Sequence, residues 1–289
     1  MSWYDYILAH PDKPWNYTLI SRNPNITWDI VSAPENINKP WNYVSMSGNP
    51  NITWDIVQAN PDKPWNYTWL SMNPNITWDI VSAPENINKP WNYGYMSSNP
   101  NITLDIVLAY PNNIWSYTSL SENPNITWDI VSANPLIEWD YTNLSKNPNI
   151  TWDIVDANPD KPWDYASMSS NPNITWDIVL ANPAKGWNYG QLSANPNITL
   201  DIVKANPDKN WNYTWLSMNP NITWDIIDAN PDITWNYNSL SGNPMGKFKG
   251  IDYVLKGGKR KRRTKRRTCK RKKSVNKRRR GTNKRRRFK

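Results

Sequence analysis

The chain repeats one nine-residue phrase, NPNITWDIV, at nearly constant spacing, and this repetition constrains its fold more than any other feature. The phrase begins at Asn23 and returns with small changes, the last time at Asn219. The Asn-Pro pairs that open the phrase, together with a last pair at Asn243, lie 24 or 26 residues apart. Such a period is typical of solenoids, whose stacked units bury a shared core. We therefore predict about ten tandem units that encode architecture.

Each unit is predicted to contain two short helices. The unit that starts at Asn49 has Asn-Pro pairs at Asn49 and Asn60, and proline disfavours the helical conformation in the residue before it. Thr53 is placed to cap the first helix, and Asp55 then lies in its first turn, where the helix dipole favours a carboxylate. We accordingly read the repeated Asp as a helix-start residue rather than as a row of cation ligands.

The second helix of this unit is predicted to begin at Pro64. Proline suits the first helical position because its missing N–H costs nothing there. Trp65, Tyr67 and Leu70 would then form one apolar face. Trp follows the Pro position in all ten units, although that position also holds other residues: Ile114, Glu138, Gly186, Asn210 and Thr234.

These patterns predict an all-α solenoid over residues 1–244. Helices shorter than about 12 residues are marginal in isolation, so each unit must bury its Trp and Tyr against its neighbours. A β-solenoid is the rival, but prolines this dense would interrupt most strand pairings. With layers about 8–10 Å apart, ten units are expected to form a rod or superhelix on the order of 90 Å long.

Charge divides the chain into two unlike parts. Residues 1–244 hold 10 Lys/Arg and 23 Asp/Glu, a net charge of 10 − 23 = −13. Residues 245–289 hold 24 Lys/Arg and one acid, a net charge of 24 − 1 = +23. We predict a linker over residues 245–258 and a tail over residues 259–289 that is disordered when free, because it has almost no apolar surface to bury.

The tail is the strongest indication of a partner. Of its 31 residues, 21 are Lys or Arg, and such a charge run favours a polyanion. Basic side chains without a base-reading element bind phosphates regardless of sequence, so we predict binding to nucleic acid or another polyanion. The predicted nucleic-acid-binding residues are Lys259, Arg260, Lys261, Arg262, Arg263, Lys265, Arg266, Arg267, Lys270, Arg271, Lys272, Lys273, Lys277, Arg278, Arg279, Arg280, Lys284, Arg285, Arg286 and Arg287.

Other classes of protein find little support in the sequence. The chain has one cysteine, Cys269, and one histidine, His10, which occupies a turn position before a proline. We find no catalytic triad, zinc-binding motif, glycine-rich phosphate loop or long apolar run. We expect no enzymatic activity, cofactor, metal site or membrane span. A protein partner is expected at the variable positions beside the fixed ones, such as Val44, Thr68, Gly94, Ser119 and Trp215.

The repeated wording NPNITWDIV-x-ANPDKPWNY-x-x-LS resembles the Trp-rich repeat proteins of giant DNA viruses of the mimivirus type. The resemblance covers essentially residues 1–244, and the basic tail is also similar to C-termini in such viruses. It implies a viral origin and helical repeats. We accordingly expect the protein in a virus factory or the nucleus of an infected cell, or in the virion. It implies no activity.

Three functions remain open. The first is a non-enzymatic scaffold whose body binds a protein and whose tail binds nucleic acid. The second is an adaptor whose tail is only a nuclear localisation signal. The third is a solenoid that binds single-stranded nucleic acid along its Trp residues. The acidic body weighs against the third, because such grooves are basic.

Overall fold

The computed structural model describes residues 2–245, which form twenty short α-helices and, within that range, no β-strand. They alternate between a first and a second helix, giving ten units numbered 1–10. The first helices are α1 (Trp3–Ala9), α3 (Trp28–Ser32), α5 (Trp54–Ala59), α7 (Trp78–Ser82), α9 (Leu104–Ala109), α11 (Trp128–Ala133), α13 (Trp152–Ala157), α15 (Trp176–Ala181), α17 (Leu200–Ala205) and α19 (Trp224–Asp228). The second helices are α2 (Tyr17–Arg22), α4 (Tyr43–Met46), α6 (Tyr67–Met72), α8 (Tyr93–Met96), α10 (Tyr117–Ser121), α12 (Tyr141–Lys146), α14 (Tyr165–Met168), α16 (Tyr189–Ala194), α18 (Tyr213–Leu216) and α20 (Tyr237–Leu240). The all-α prediction is confirmed.

The first helices begin where the sequence predicts. Thr53 is the N-cap of α5, its hydroxyl accepts a hydrogen bond from the main-chain N–H of Ile56, and Asp55 lies in the first turn. The helix ends at Ala59, one residue before the Asn of an Asn-Pro pair. In two units, Thr151 and Thr223 occupy the N-cap without a side-chain hydrogen bond. The cap position is therefore constant, although its side-chain bond is not.

The predicted start of the second helix is wrong. In unit 3 the helix begins at Tyr67 and not at Pro64, and Asn66 is its N-cap. The Asn66 Oδ1 accepts from the main-chain N–H of Trp69 at 3.0 Å. Asn is a strong N-cap residue, and this cap lies two residues after the proline. Trp65 therefore precedes the helix, and its indole Nε1 donates to the Asn60 carbonyl at 2.8 Å.

That indole bond recurs in all ten units. The Trp before each second helix donates to the carbonyl five residues earlier, at N–O distances of 2.7–3.1 Å. The bond ties the segment that follows each first helix to the start of the second, so this Trp has a structural role in every unit.

Neighbouring units are joined by buried asparagines. Where unit 3 meets unit 4, the Nδ2 of Asn73 donates to the carbonyls of Ser47, Asn49 and Ile52 at 2.9–3.2 Å. Asn73 is 1% exposed, so these bonds satisfy main-chain groups that water does not reach. A second link uses serine, because the Ser71 hydroxyl accepts from the main-chain N–H of Asn92 in the next unit at 2.9 Å.

Aromatic rings fill the space between units. Trp54 of α5 lies 5.5 Å from Trp91 of the following unit, and Tyr67 contacts the same Trp91 edge-on at 5.0 Å. In α9 and α17 a leucine takes the place of this first-helix Trp, and Leu104 and Leu200 are both buried. The exchange of Trp for Leu at a buried position confirms the predicted packing role of these residues.

The ten units close into a ring, so the expected rod or superhelix is wrong. The Asn23 Nδ2 donates to the Asn243 carbonyl at 3.0 Å, and the Asn16 main-chain N–H donates to the Ser241 hydroxyl at 2.9 Å. Trp15 packs edge-on against Tyr237, with ring centroids 5.3 Å apart. Each contact repeats, between unit 1 and the end of unit 10, a bond or ring pair that joins consecutive units elsewhere.

The curvature follows from unequal spacing of the two helix layers. The closest approaches between helices are all between second helices of consecutive units, for example α2 with α4 and α6 with α8, and no pair of first helices is as close. A layer with closer spacing lies on the smaller circumference of a ring. With layers about 8–10 Å apart on average, ten of them close a circle roughly 25–32 Å across.

Candidate interaction surfaces of the ring

The predicted nucleic-acid-binding residues, from Lys259 to Arg287, lie outside the described residues, as does nearly all of the linker predicted over residues 245–258. The described candidate surfaces are therefore those of the ring.

Ten exposed aspartates mark the starts of the first helices around the ring. In unit 1, the main-chain and hydroxyl groups of Ser2 bond to Asp5 and form a capping box, which holds the pKa of the Asp5 carboxyl below its usual value. Within residues 2–245 no cluster of acidic, His or Cys side chains could hold a metal ion. The helix-start role predicted for these residues is confirmed; they are Asp5, Asp29, Asp55, Asp79, Asp105, Asp129, Asp153, Asp177, Asp201 and Asp225.

The variable positions predicted to form a surface differ in their exposure. Val44 and Trp215 are exposed, at 40% and 43%. Thr68, Gly94 and Ser119 are half-buried. All five lie in second helices, in the layer where neighbouring units are closest.

Two units with the same sequence, NYTWLSMNP, present their tryptophans differently. In unit 3, the Arg22 guanidinium covers Trp69, 4.4 Å from the ring centroid, and Trp69 is half-buried. In unit 9, Ser170 occupies the position equivalent to Arg22, and Trp215 is 43% exposed. Unit 3 thus has a cation over its Trp, supplied from two units away, and unit 9 has a serine at the equivalent position. Tyr213 and Met218 beside Trp215 are exposed as well.

A hollow of about 460 Å³ lies where unit 1 meets unit 10. Tyr6 stacks between His10 and Trp224, 4.0 Å from each ring, and its hydroxyl donates to the Asp228 carboxylate at 2.7 Å. Burial is the larger cause that raises the pKa of Tyr6, and the hydrogen bond to this carboxylate raises it further. His10 is the C-cap of α1, which agrees with the turn position predicted for it.

A second depression, of about 590 Å³, lies between units 7, 8 and 9. Its lining combines the rings of Trp187, Tyr189 and Trp211 with small residues and asparagine amides. The full lining is Ala166, Gly186, Trp187, Asn188, Tyr189, Gly190, Asn210, Trp211 and Asn212. No lining residue carries a charge, so the depression suits a neutral group with apolar and hydrogen-bonding parts.

Sequence reasoning did not predict this depression, although its signal is present in the repeat. Gly186 replaces the proline that precedes Trp in five other units, while Ala166 and Gly190 replace the threonine that follows Tyr in five others. These departures are far apart along the chain, since up to 24 residues separate them. The fold brings them together because positions in consecutive units are stacked.

Comparison of the chain with protein-family models, with curated proteins and with solved structures finds no match. Within residues 2–245, no helix has the length and apolar character needed to cross a bilayer.

Proposed function

We propose that this protein is a non-enzymatic scaffold. Its ring of repeats presents a surface for a protein partner, and its basic tail binds nucleic acid without sequence preference. The observation that carries the proposal is the charge partition, −13 over residues 1–244 against +23 over residues 245–289. A concentration of 21 Lys and Arg in 31 residues favours phosphate binding, because many charges would otherwise repel one another.

The closed ring supports the scaffold part of the proposal. Every unit is held between two neighbours by buried hydrogen bonds, so variable surface residues are displayed at fixed relative positions. The resemblance to viral repeat proteins adds the proposal that the partners are viral nucleic acid and a protein of the infected cell, in a virus factory, the nucleus or the virion.

The test is a titration of fluorescently labelled duplex DNA with the full chain and with a chain that ends at residue 258. If the tail engages about 10 phosphates, log K should fall with log salt concentration at a slope near −9. The shortened chain should lose most of its affinity and its salt slope. Equal affinity and equal slope for the two proteins would refute the assignment of binding to the tail.

The adaptor with a nuclear localisation signal remains the second candidate, because the same residues, Lys259 to Arg287, have the composition of such a signal. A fluorescent protein fused to residues 259–289 should distinguish it. Nuclear entry without retention on chromatin favours the adaptor, whereas retention that salt removes favours nucleic-acid binding.

The third candidate, binding of single strands along the Trp residues, would need exposed rings beside positive charge. The ten Trp that precede the second helices instead donate their indole N–H to main-chain carbonyls. Binding of single strands by the chain that ends at residue 258 would nonetheless favour this candidate, so the same titration includes a single-stranded probe.

A further inference from the structure

We propose that the depression between units 7, 8 and 9 binds a proline-containing segment of a partner protein in the extended polyproline II conformation. This inference deepens the scaffold role proposed above and rests on it, because it names the chemistry of the protein partner and the sector of the ring that receives it.

The depression contains the place of a missing proline ring. In five units a proline precedes the conserved Trp, at Pro14, Pro40, Pro64, Pro90 and Pro162, and each of these prolines lies at the surface. Unit 8 has Gly186 there, and a Cβ built on Gly186 would meet no described atom within 4 Å. The next unit has Asn210 in the same place. A pyrrolidine ring from another chain can therefore occupy space that the protein's own proline fills elsewhere.

The residue that faces this position is also small. A Cβ built on Gly94 would lie 3.9 Å from the Ile114 carbonyl oxygen, so the residue after Tyr in one unit faces the residue before Trp in the next. By the same stacking, Ala166 faces Gly186, and a Cβ built on Gly190 would lie 3.9 Å from the Cβ of Asn212 in the next unit. Because three of these four residues are Ala or Gly, the depression extends across two consecutive unit boundaries.

Two side-chain amides supply donors at the depression. The Oδ1 atoms of Asn188 and Asn212 accept from the main-chain N–H groups of Gln191 and Trp215, at 3.0 Å in both cases, which fixes the orientation of each amide. Both asparagines are exposed. Their Nδ2 groups therefore remain available at the surface.

Two other units use the same amide group internally. The Nδ2 of Asn42 donates to the Thr18 hydroxyl at 3.5 Å, and the Nδ2 of Asn16 donates to the Asn238 Oδ1 at 2.8 Å. In the depression, Ala166 and Gly190 occupy the positions of Thr18 and Asn238 and have no side-chain acceptor. An incoming carbonyl oxygen can accept from Asn188 or Asn212 in their place.

A polyproline II segment matches this arrangement. It forms no internal hydrogen bonds, so its carbonyl oxygens are free to accept, and its proline rings are apolar. Aromatic-lined grooves are the usual receptors for such segments, because the conformation is already ordered before binding. The rings of Trp187, Tyr189 and Trp211 provide this lining. A neutral oligosaccharide is the competing ligand, since it also combines apolar faces with hydrogen-bonding groups.

The test measures binding of fluorescein-labelled decaproline to the full-length protein by fluorescence anisotropy, with unlabelled maltohexaose as the competitor. The variant Ala166→Thr/Gly186→Pro/Gly190→Thr restores the residues most frequent at these positions and should fill the depression. We expect the wild-type protein to bind decaproline and the triple variant to bind at least tenfold more weakly. Gly94→Thr makes the same kind of change in unit 4, outside the depression, and should leave the affinity unchanged.

Any one of three results would overturn the proposal. They are equal affinity of the wild-type protein and a folded triple variant, no binding of decaproline by the wild-type protein, and displacement of decaproline by maltohexaose. Circular dichroism verifies that the triple variant is folded; if it is not, Gly186→Pro alone replaces it and must weaken binding at least threefold. Titration of duplex DNA on the same samples separates the two proposals, because tail-dependent DNA binding should be equal in all variants. The two measurements therefore distinguish a wrong proposal for the proline-binding depression from a wrong proposal for nucleic-acid binding by the tail.

Discussion

The side-chain amide of Asn23 donates a hydrogen bond to the main-chain carbonyl of Asn243, 220 residues later in the chain, at 3.0 Å. The same bond joins each Asn of the Asn-Pro series to the one before it, at 2.8–3.0 Å, and so forms an unbroken circle of ten bonds. The ten serine hydroxyls that accept from the next unit form a second circle. A closed circle leaves no terminal unit with an uncovered apolar face, which open solenoids must cap.

Ring closure predicts that two cysteines introduced near opposite ends of the described chain can form a disulfide. A Cβ built on Gly242 would lie 3.8 Å from the Leu19 Cβ, within the range of about 3.5–4.5 Å found in disulfides. In a Cys269→Ser background, the variant Leu19→Cys/Gly242→Cys should oxidise within one molecule. It should then migrate faster than its reduced form on a denaturing gel and gain roughly 2–5 kcal/mol in free energy of unfolding.

The control for this disulfide is Leu19→Cys/Gly94→Cys, which places the second thiol three units further along the ring. It should keep two free thiols under the same oxidising conditions. Two free thiols in the Leu19→Cys/Gly242→Cys variant would show that the ring is open in solution.

The asparagine circle predicts a large effect of a single buried substitution. Asn147 donates to the carbonyls of Ser121, Asn123 and Ile126 at 2.8–3.2 Å and is fully buried. Asn147→Leu removes these donors and leaves buried carbonyls unsatisfied, at about 1–3 kcal/mol for each group that finds no other partner. Urea unfolding should show a loss of at least about 2 kcal/mol. The exposed Asn112 offers the matched control, because Asn112→Ala should stay within about 0.5 kcal/mol of the wild-type protein.

The sequence predicts the helical units well because their signals are local. Thr53, Asp55 and the Asn-Pro pair at Asn60 act within one short segment, so its helix could be located without knowledge of the fold. The predicted start of the second helix is wrong because two residues near it both favour a helix N-terminus. Pro64 and Asn66 are both favourable near a helix N-terminus, and the capping bond of Asn66 decides between them.

Ring closure and the depression could not be predicted because both depend on angles and distances between units. A small rotation between layers separates a rod from a circle of ten, and no single residue encodes that rotation. The contact of Arg22 with Trp69 likewise joins residues 47 positions apart in the chain. Such relationships become visible only once the stacking of units is known.

The pair formed by Arg22 and Trp69 predicts reciprocal effects in units 3 and 9. Arg22→Ser removes a cation–π contact at 4.4 Å and should lower the free energy of unfolding by about 0.5–1 kcal/mol. Ser170→Arg places a guanidinium two units before Trp215, in the equivalent position, and should raise it by a similar amount. Both are measured by urea unfolding. Arg22→Lys, which keeps a charge but not the planar group, should lose part of the contact energy. Equal stability of all four proteins would contradict the assigned role of Arg22.

The contacts of Tyr6, where unit 1 meets unit 10, predict that the protein loses stability at alkaline pH. Burial, and then the Asp228 carboxylate that accepts from its hydroxyl, raise the pKa of Tyr6 above the value of 10.0 for a free side chain. The folded state therefore favours neutral Tyr6. Its contribution to stability is complete below pH 10 and is lost as the pH rises from there through the folded-state pKa, by up to about 1.4 kcal/mol per pH unit.

Tyr6→Phe should remove this part of the pH dependence. The free energy of unfolding, measured in urea at pH 8 and at about pH 11, should fall less with pH in Tyr6→Phe than in the wild-type protein. Asp228→Asn keeps an acceptor for the hydroxyl but removes the negative charge, so its decline should be intermediate. Tyr213→Phe serves as the control, because Tyr213 is exposed and its substitution should leave the wild-type decline unchanged. A decline in Tyr6→Phe as steep as in the wild-type protein would mean that Tyr6 does not titrate with the closure of the ring.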